Sequence, residues 1–492
     1  MDQAVELMVE WVKQQDVAGI ALEVVKEEGR TPLIFATIDA SPGVASGETV
    51  LLYAHLDKQP PMTDDWSDGL GPHTPVVRDG RLFGRGGADD GYGIFASVTA
   101  IKALQEQGIP HSRCVVLVEA SEESSSVDLP YYVDQLSERI GAVDFVVCLD
   151  SGASDLEHLW STTSLRGAIN VNLTVGILND GVHSGAASGI VPDSFRIARK
   201  LVDRVENAVT GEVLGAAFHA DIPAARLEQA AAAGAALGDS VLRCFPWVSG
   251  AGPMTTDPTE AILAKTWKPT LTVTGADGLP PSAVAGNVLR ASTTLKLSFR
   301  LPPTVDSAAA AQYIRDELTR DPPDGAAKPQ SVPDSAGAAD GLPPSAVAGH
   351  VLRASTTLKL SFRLPPTADA DAASAFIVKE LTRDPPYGAT VTVSGDHGAS
   401  GWEAPAEAEW QLAAMHGASQ AFYGNDAMFL GEGWSIPFMG MLGERYPSAG
   451  FMVAGVLDGS ANAHGPDESF DIGFAKKLTA SVSYILASHA AR

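Results

Sequence analysis

The stretch Leu51-Leu52-Tyr53-Ala54-His55-Leu56-Asp57 is an apolar run that ends in one imidazole and one carboxylate. Alternate side chains of a β-strand share a face, so the pattern predicts that His55 and Asp57 point the same way where the strand ends. A core histidine beside a solubilising acid would give the same pattern. The stretch on its own therefore leaves a structural and a functional interpretation open.

Further segments place acidic or imidazole side chains where predicted elements end. They are Gly84-Arg85-Gly86-Gly87-Ala88-Asp89-Asp90-Gly91, Glu119-Ala120-Ser121-Glu122-Glu123, Leu149-Asp150-Ser151 and Ala463-His464-Gly465. Apolar, β-branched runs alternate with helical patterns over residues 20–149, which predicts a mostly parallel sheet covered on both faces. Ligands bind beyond the carboxyl ends of the strands in such sheets. We therefore expect His55, Glu122, Glu123 and Asp150, which fall at the carboxyl ends of predicted strands, to lie together.

Acidic and imidazole groups that share one site need cations to share it with. Zinc-like metals take histidine nitrogen and carboxylate oxygen, and two such ions need a bridging ligand. Asp89 suits the bridge because it follows a glycine-rich turn and opens a predicted helix over Asp89–Gln107, whose N-terminus favours anions. Glu122 and Glu123 cannot both point one way in an extended chain, so one can bind metal while the other accepts a proton. Each acid alone also fits a capping or solvated surface role.

Length and composition exclude several classes of protein. At 492 residues the chain is too long for one ordinary core, so two domains are expected. The net charge of −26, from 34 basic and 60 acidic residues, argues against nucleic-acid and anionic-membrane partners. Met1–Val12 predicts an amphipathic helix rather than a signal peptide, and no apolar run is long enough to span a membrane. Cys114, Cys148 and Cys244 are expected to be reduced thiols of a cytoplasmic protein.

The pattern changes at Gly167 and returns after Gly395. We predict an α/β domain formed by residues 1–166 and 396–492, with a mostly parallel sheet, interrupted by an inserted α+β domain over residues 167–395. The inserted domain contains a tandem duplication of residues 277–323 and 340–386.

Residues 277–304 recur at 340–367 with the single difference of Asn287 against His350. Two copies are too few for a solenoid, and residues 326–339 between them are predicted to be a linker or loop. The inserted sheet needs one such unit, and the sequence does not indicate which copy supplies it.

The combination of motifs resembles the M20 family of dinuclear zinc peptidases, which includes carnosinase, carboxypeptidases and aminoacylases. The motifs that carry the resemblance are H-L-D at His55–Asp57, G-R-G-x-x-D-D at Gly84–Asp90, E-E at Glu122–Glu123, L-D-S at Asp150, H-S-G at His183, S-F-R at Arg300 or Arg363, and A-H-G at His464. The resemblance covers nearly the whole chain apart from the extra 63 residues. One departure is Gly91, which stands where the family often has lysine after Asp-Asp.

The resemblance implies two bound divalent ions, with Zn²⁺ expected and Mn²⁺ or Co²⁺ as alternatives. Its ligand set would be His55 and Asp150 on one ion, Glu123 and His464 on the other, and Asp89 between them. Asp57 would hold His55 in its tautomer. Glu122 would be the general base and then the proton donor to the leaving amine.

The inserted domain would correspond to the lid and dimerisation domain of a homodimer. His183 from this domain would stabilise the oxyanion, in its own or a partner subunit. The substrate carboxylate would meet an arginine, Arg300 or Arg363, in bidentate fashion. Asn287 favours the first copy and hence Arg300, whereas Arg363 leads directly into the last strand of the lid.

Gly433 and Ser435 would line the carboxylate end of the substrate, which fits a glycine-rich loop before a short helix. The resemblance thus implies a cytoplasmic hydrolase that cleaves dipeptides or short peptides. Two alternatives stay open. One is a deacylase of N-acyl amino acids that uses the same site, and the other is a metal-binding scaffold whose lid the duplication has disabled.

Overall fold

The computed structural model describes residues 1–44, 47–215, 218–279, 288–289, 292–319, 359–363, 390–394, 398–399, 401–434 and 436–492. The predicted linker over residues 326–339, Asn287 and Ser435 lie outside the described residues. For Arg363 the backbone alone is described.

The first part of the chain alternates strands and helices. Its elements are α1 (Asp2–Lys13), β1 (Ile20–Val25), β2 (Leu33–Ile38), β3 (Thr49–His55), β4 (Val76–Arg78), β5 (Arg81–Phe83), α2 (Gly93–Gln107), β6 (Arg113–Glu119), α3 (Leu129–Gln135), α4 (Ser137–Ile140), β7 (Val143–Cys148) and β8 (Trp160–Leu165).

The middle part carries a second sheet and its helices. Its elements are β9 (Gly167–Gly176), β10 (Val182–His183), α5 (Ser184–Ala187), α6 (Ser194–Val202), α7 (Ala224–Leu237), α8 (Ser240–Arg243), α9 (Pro258–Thr266), β11 (Thr270–Asp277), β12 (Val288–Leu289), β13 (Ser292–Leu301), α10 (Ser307–Thr319), β14 (Lys359–Arg363), β15 (Thr390–Ser394) and β16 (Gly398–Ala399).

The last part returns to the main sheet. Its elements are β17 (Trp402–Glu403), α11 (Glu409–Tyr423), β18 (Met428–Glu432), α12 (Pro437–Arg445), β19 (Gly450–Val453), β20 (Ser469–Asp471) and α13 (Ile472–Ala490). Among the described residues, no helix has the length and apolar character needed to cross a bilayer.

The main sheet has the strand order β1-β2-β6-β3-β7-β19. Strands β6, β3, β7 and β19 run parallel, and β2 and β1 add an antiparallel edge. Every residue of β3 is buried because helices cover both faces of the sheet. The predicted mostly parallel α/β sheet is confirmed, and β3 lies at its centre.

The alternation of side chains along β3 explains its apolar sequence. Leu52 and Ala54 belong to the core on the face covered by α2 and α13. Leu51 and Tyr53 belong to the core on the opposite face, where the Tyr53 and Phe438 ring centroids lie 3.7 Å apart. Strand β3 is thus held by packing on both faces as far as His55, its last residue.

The second sheet packs against its own helices. Strand β9 alternates buried and half-buried residues, and its buried face meets α6 and α10. Helices α7 and α9 lie within the predicted inserted domain by sequence, yet Ala233 and Ile262 belong to the same core as β3. The domain boundaries given above stay a prediction.

The two copies of the duplicated strand pair with β9 in one register. Arg300 of β13 and Arg363 of β14 each lie opposite Ala168. On its other edge β9 pairs with β15 and β16, where Ala399 is opposite Ala168. Because a strand has only two hydrogen-bonding edges, the copies compete for one place beside β9.

Candidate metal centre

His55 is the last residue of β3, and its side chain is completely buried. Its Nε2 lies 3.2 Å from Oδ1 of Asp89 and 3.6 Å from Oδ1 of Asp150. Asp150 follows β7, the neighbour of β3 in the sheet. The parallel topology therefore brings these two predicted residues together, as their positions at strand ends imply.

Asp89 lies between two imidazoles. While its Oδ1 faces His55, its Oδ2 is 3.0 Å from Nε2 of His464. The same His464 nitrogen is 3.5 Å from Oε2 of Glu123. Two groups of potential ligands, each with its atoms within 4.8 Å of one another, thus share Asp89: His55, Asp89 and Asp150, and Asp89, Glu123 and His464.

Asp57 is placed by the turn that follows β3, since the strand ends at His55. Its carbonyl oxygen is 3.1 Å from His55 Nδ1, and its Oδ1 is 3.5 Å from the same nitrogen. A proton on Nδ1 facing these acceptors leaves the Nε2 lone pair directed at the carboxylates, which is the tautomer that a metal ligand requires.

The Asp57 carboxylate also accepts the main-chain N–H groups of Glu122 at 3.1 Å and Glu123 at 3.0 Å. These two glutamates form a short 3₁₀ turn after β6. Gln59 donates from Nε2 to Oε2 of Glu123 at 2.5 Å. Sequence reasoning missed Gln59, although it lies two residues after Asp57, because its partner is distant in sequence.

The prediction that Asp89 opens a helix is wrong. The helix α2 begins at Gly93, and Asp89 lies in an irregular turn with φ −122° and ψ 92°. The N–H groups of Ala88 and Asp89 are bound by Oε1 of Glu468, at 3.2 and 3.3 Å, instead of lying free at a helix terminus. Arg85 donates to the other Glu468 oxygen at 2.6 Å. Glu468 is a supporting residue that the sequence did not reveal.

The buried acids disturb one another electrostatically. Burial, and then the charge of Asp150, raises the pKa of Glu122 to about 9. Burial likewise raises the pKa of Asp150 and of Glu123. Burial also acts to raise the pKa of Asp89, but hydrogen bonds from His464 and His55 outweigh it and lower that pKa.

The pKa values of the two imidazole groups are also raised, but by the neighbouring carboxylates rather than by burial. Burial acts to lower the pKa of His55, but the charge of Asp150 and hydrogen bonds to the surrounding carboxylates raise it. The hydrogen bond to Asp89 raises the pKa of His464. The cluster therefore attracts positive charge. Nitrogen and carboxylate donors around a shared carboxylate are the set that a pair of zinc-like ions prefers, so these residues fit a dinuclear site.

A third group of potential ligands, Glu48, Asp144 and His489, lies elsewhere. Arg492 donates from Nη2 to Glu48 Oε2 at 2.5 Å and also binds Asp144. The guanidinium supplies the positive charge here, so this group is an ion-pair network at the C-terminal helix rather than a metal site.

Two arginines converge on one carbonyl beside the second sheet. Arg300 Nη1 and Arg166 Nε each donate to the oxygen of Gly433 at 3.2 Å. Burial lowers the pKa of Arg300 to about 9. Burial, and then the charge of Arg300, lowers that of Arg166, while Glu432 offsets part of the effect. Two desolvated cations favour an anion such as a substrate carboxylate nearby.

Gly433 must be a glycine in this arrangement. A Cβ there would lie 2.8 Å from the carbonyl oxygen of Lys265 and 3.0 Å from Nη2 of Arg166. Arg166 was not among the predicted residues. The only local signal for it is its position at the change of pattern between β8 and β9.

His183 is not brought to the metal-ligand cluster by any contact among the described residues. Its exposed side chain accepts the N–H of Gly185 through Nδ1 at 3.1 Å, and its backbone pairs with Val288. Its predicted role at an oxyanion, in its own or a partner subunit, stays a prediction.

The comparisons with known proteins agree with this fold. A model of Peptidase family M20/M25/M40 matches residues 51–488. The chain therefore belongs to this peptidase family and is a hydrolase, and the predicted family is confirmed.

The chain is similar to a cysteinylglycine-S-conjugate dipeptidase of Corynebacterium striatum, with 24% identity over 436 residues that cover 87% of this chain and 78% of that one. It is 26% identical over 293 residues to the Beta-Ala-His dipeptidase of Homo sapiens, covering 58% of this chain and 56% of that one. The chain thus spans little more than half of the second relative.

Two solved structures have the same fold. The crystal structure of human carnosine dipeptidase 1 has a TM-score of 0.65 and 17% identity, covering 99% of this chain and 91% of that one. The M20 metallo-carboxypeptidase Sso-CP2 of Sulfolobus solfataricus has a TM-score of 0.68 and 17% identity, covering 100% and 94%.

Proposed function

We propose that this chain hydrolyses the peptide bond of dipeptides or short peptides at a site for two divalent metal ions. The observation that carries this proposal is the position of Asp89, whose two carboxylate oxygens face different imidazoles, His55 and His464. Membership of the peptidase family supports the reaction type. Two relatives of the chain are dipeptidases, which supports the substrate class.

The residues that would hold the ions are the two groups described above: His55 with Asp150, and Glu123 with His464, joined by Asp89. Zn²⁺ is the first candidate because the donors are histidine nitrogen and carboxylate oxygen, and Mn²⁺ and Co²⁺ accept the same donors. Bound ions of this kind lower the pKa of water and polarise a carbonyl group.

Glu122 is the proposed general base. It makes the same turn as Glu123, it is half-buried, and Asp57 fixes its main chain through a 3.1 Å hydrogen bond. Burial and, after it, the surrounding acids hold the pKa of Glu122 at about 9, and added positive charge lowers this pKa toward neutrality, where a base works best. Glu122 then takes a proton from the attacking water and passes it to the leaving amine.

The carboxylate of the substrate is proposed to bind Arg300. Its guanidinium is half-buried beside Gly433, and Arg166 adds a second cation there. Such a pair orients a planar carboxylate and sets the distance from the chain terminus to the bond that is cleaved. Asn287, Ser435 and His183 complete the proposed substrate contacts, with His183 at the oxyanion.

We also infer that the protein works in the cytoplasm as a homodimer. The buried Cys114 and Cys148 are free thiols, as expected of a reducing compartment. The homodimer rests on the resemblance of the inserted domain to a dimerisation domain, and the mass of the purified protein in solution tests it.

A substrate panel tests the proposed reaction. Metal-supplemented protein is expected to cleave unmodified dipeptides and to bind about two ions per chain. Cleavage of acetylated or succinylated amino acids with dipeptides untouched would instead make it a deacylase. Two bound ions with no cleavage of either class would make it a scaffold.

A further inference from the structure

Lys58 connects the two segments that carry His55 and Asp89. Its Nζ donates to the main-chain oxygen of Gly86 at 2.6 Å. The same oxygen accepts the N–H of Gly91 at 3.0 Å, which closes the turn that contains Asp89. The Gly86 oxygen thus accepts two hydrogen bonds. One closes the turn, and the other links the turn to the chain that follows β3.

Two glycines make room for this ammonium group. A Cβ at Gly86 would lie 2.2 Å from Nζ of Lys58, and Gly86 has φ +70°, which favours glycine. A Cβ at Gly91 would lie 3.0 Å from the same Nζ and 2.4 Å from the Gly86 oxygen. A side chain at position 91 is therefore excluded from this turn. The space beside Gly91 is occupied by the ammonium group of Lys58.

The surroundings of Lys58 are acidic. Its charge interacts with those of Glu468, Asp90 and Asp89. Asp90 is completely buried; its Oδ2 accepts the N–H of His55 at 3.3 Å, and its Oδ1 has no hydrogen-bond partner among the residues described here. A nearby cation offsets the cost of these buried acids.

We propose that Lys58 is a positioning residue for the metal centre. Its hydrogen bond to Gly86 fixes the Asp89 turn against the segment of His55, and so sets the separation of the two ligands that the proposed dinuclear site needs. This role rests on the proposed function. It makes a prediction opposite in sign to that of simple electrostatics, because an ammonium group repels bound cations and its loss alone would tighten metal binding.

The substitution Lys58→Met tests this role, since it keeps the length of the side chain and removes the donor and the charge. Zn²⁺ affinity is measured on metal-free protein by competition with a chelator, and folding is checked by circular dichroism. Lys58→Met is expected to weaken Zn²⁺ affinity roughly 10- to 100-fold, which is the usual effect of losing a residue that orients a metal ligand. Lys58→Arg, which keeps a donor, is expected to recover most of it.

Lys102→Met is the matched control. Lys102 lies on α2 and its Nζ donates to Oε1 of Gln15 at 3.4 Å rather than to the Asp89 turn, so affinity should not change. Unchanged or tighter binding by a folded Lys58→Met protein would overturn the positioning role. Wild-type protein that binds no ions would instead overturn the proposed function, which separates the two failures.

A pair of glycine variants approaches the same contact from the other side. Gly86→Ala places a methyl group on Lys58 and strains the backbone, whereas Gly80→Ala, at φ +80° with nothing within 4 Å of the added Cβ, causes backbone strain alone. Weaker Zn²⁺ binding by Gly86→Ala but not by Gly80→Ala is expected. Equal affinities in the two variants would contradict the role of Lys58 even if Lys58→Met does not fold.

Discussion

The carboxylate of Asp57 accepts the backbone N–H of Glu122 at 3.1 Å. The chain that leaves β3 thus fixes the turn after β6, although the two residues are 65 positions apart. A base needs a rigid main chain of this kind, because a misplacement of about 1 Å can cost on the order of 10²-fold in rate.

Glu122→Ala is expected to keep both metal ions and to lower kcat by about 10²- to 10⁴-fold, the usual contribution of a general base. Metal content by mass spectrometry and turnover on a dipeptide measure the two effects separately. The matched control is Glu123→Ala in the same turn, which should lose metal. Loss of metal from the Glu122 variant would mean that the base and ligand roles are exchanged.

Asp57→Asn is expected to weaken metal binding by roughly 10- to 100-fold, because the amide presents one acceptor where the carboxylate binds two N–H groups and faces His55. Asp193→Asn is the control, since Asp193 also accepts two N–H groups, at the start of α6, far along the chain from the ligands. Because Asn caps a helix about as well as Asp, the control should change stability by only about a few tenths of a kcal/mol and should not change metal affinity. Similar metal affinities for the two variants would rule out the supporting role of Asp57.

The duplication offers its own control for substrate binding. Arg300→Met is expected to raise KM for a dipeptide at least tenfold, about 1.4 kcal/mol, with a smaller change in kcat, since a charged hydrogen bond to the substrate is lost. Arg363→Met, at the equivalent position of the second copy, should leave both constants unchanged. The reverse result would assign the site to the second copy.

The stability of the second sheet region should depend on Glu206. Burial, and then the charge of Asp203, raises its pKa to about 7, above the unfolded value near 4.5. The folded state therefore holds the proton between about pH 4.5 and 7, and the free energy of unfolding falls as pH rises through this range. Because the side chain is partly exposed and solvent screens its charge, the expected fall is roughly 2 kcal/mol rather than the full value of the pKa shift.

Glu206→Gln removes this dependence, so its Tm should exceed that of the wild type at pH 8 and approach it at pH 4.5. Thermal unfolding at the two pH values measures the difference. Glu212→Gln, at an exposed neighbour, is the control. Parallel Tm profiles for wild type and Glu206→Gln would contradict the raised pKa.

Hydrophobic patterns in the sequence predict the strands and helices of the main sheet, because short-range periodicity determines which face of each element is buried. The apolar run of β3 and the alternation of strands and helices define a parallel sheet, and the sheet places His55 and Asp150 at one edge. The structure also brings Asp89, Glu123 and His464 to that edge. For these residues the sequence indicates the motifs that contain them, but not the turns that place them.

The residues that sequence reasoning missed have partners that are distant in sequence. Gln59 binds a residue 64 positions away, Arg166 one 267 positions away, and Glu468 the turn of Asp89 across 379 positions. Hydrophobic periodicity cannot reveal contacts between residues so far apart in the sequence. The wrong helix start at Asp89 has the same origin, since the N–H groups of that turn are bound by Glu468 rather than left for a helix.

Anomalous diffraction at the zinc edge, from crystals grown with Zn²⁺, tests the central claim most directly. Two peaks are expected on either side of Asp89, one beside His55 and Asp150 and the other beside Glu123 and His464. A single peak, or zinc bound only at Glu48, Asp144 and His489, would contradict the dinuclear site and the hydrolytic reaction proposed for it.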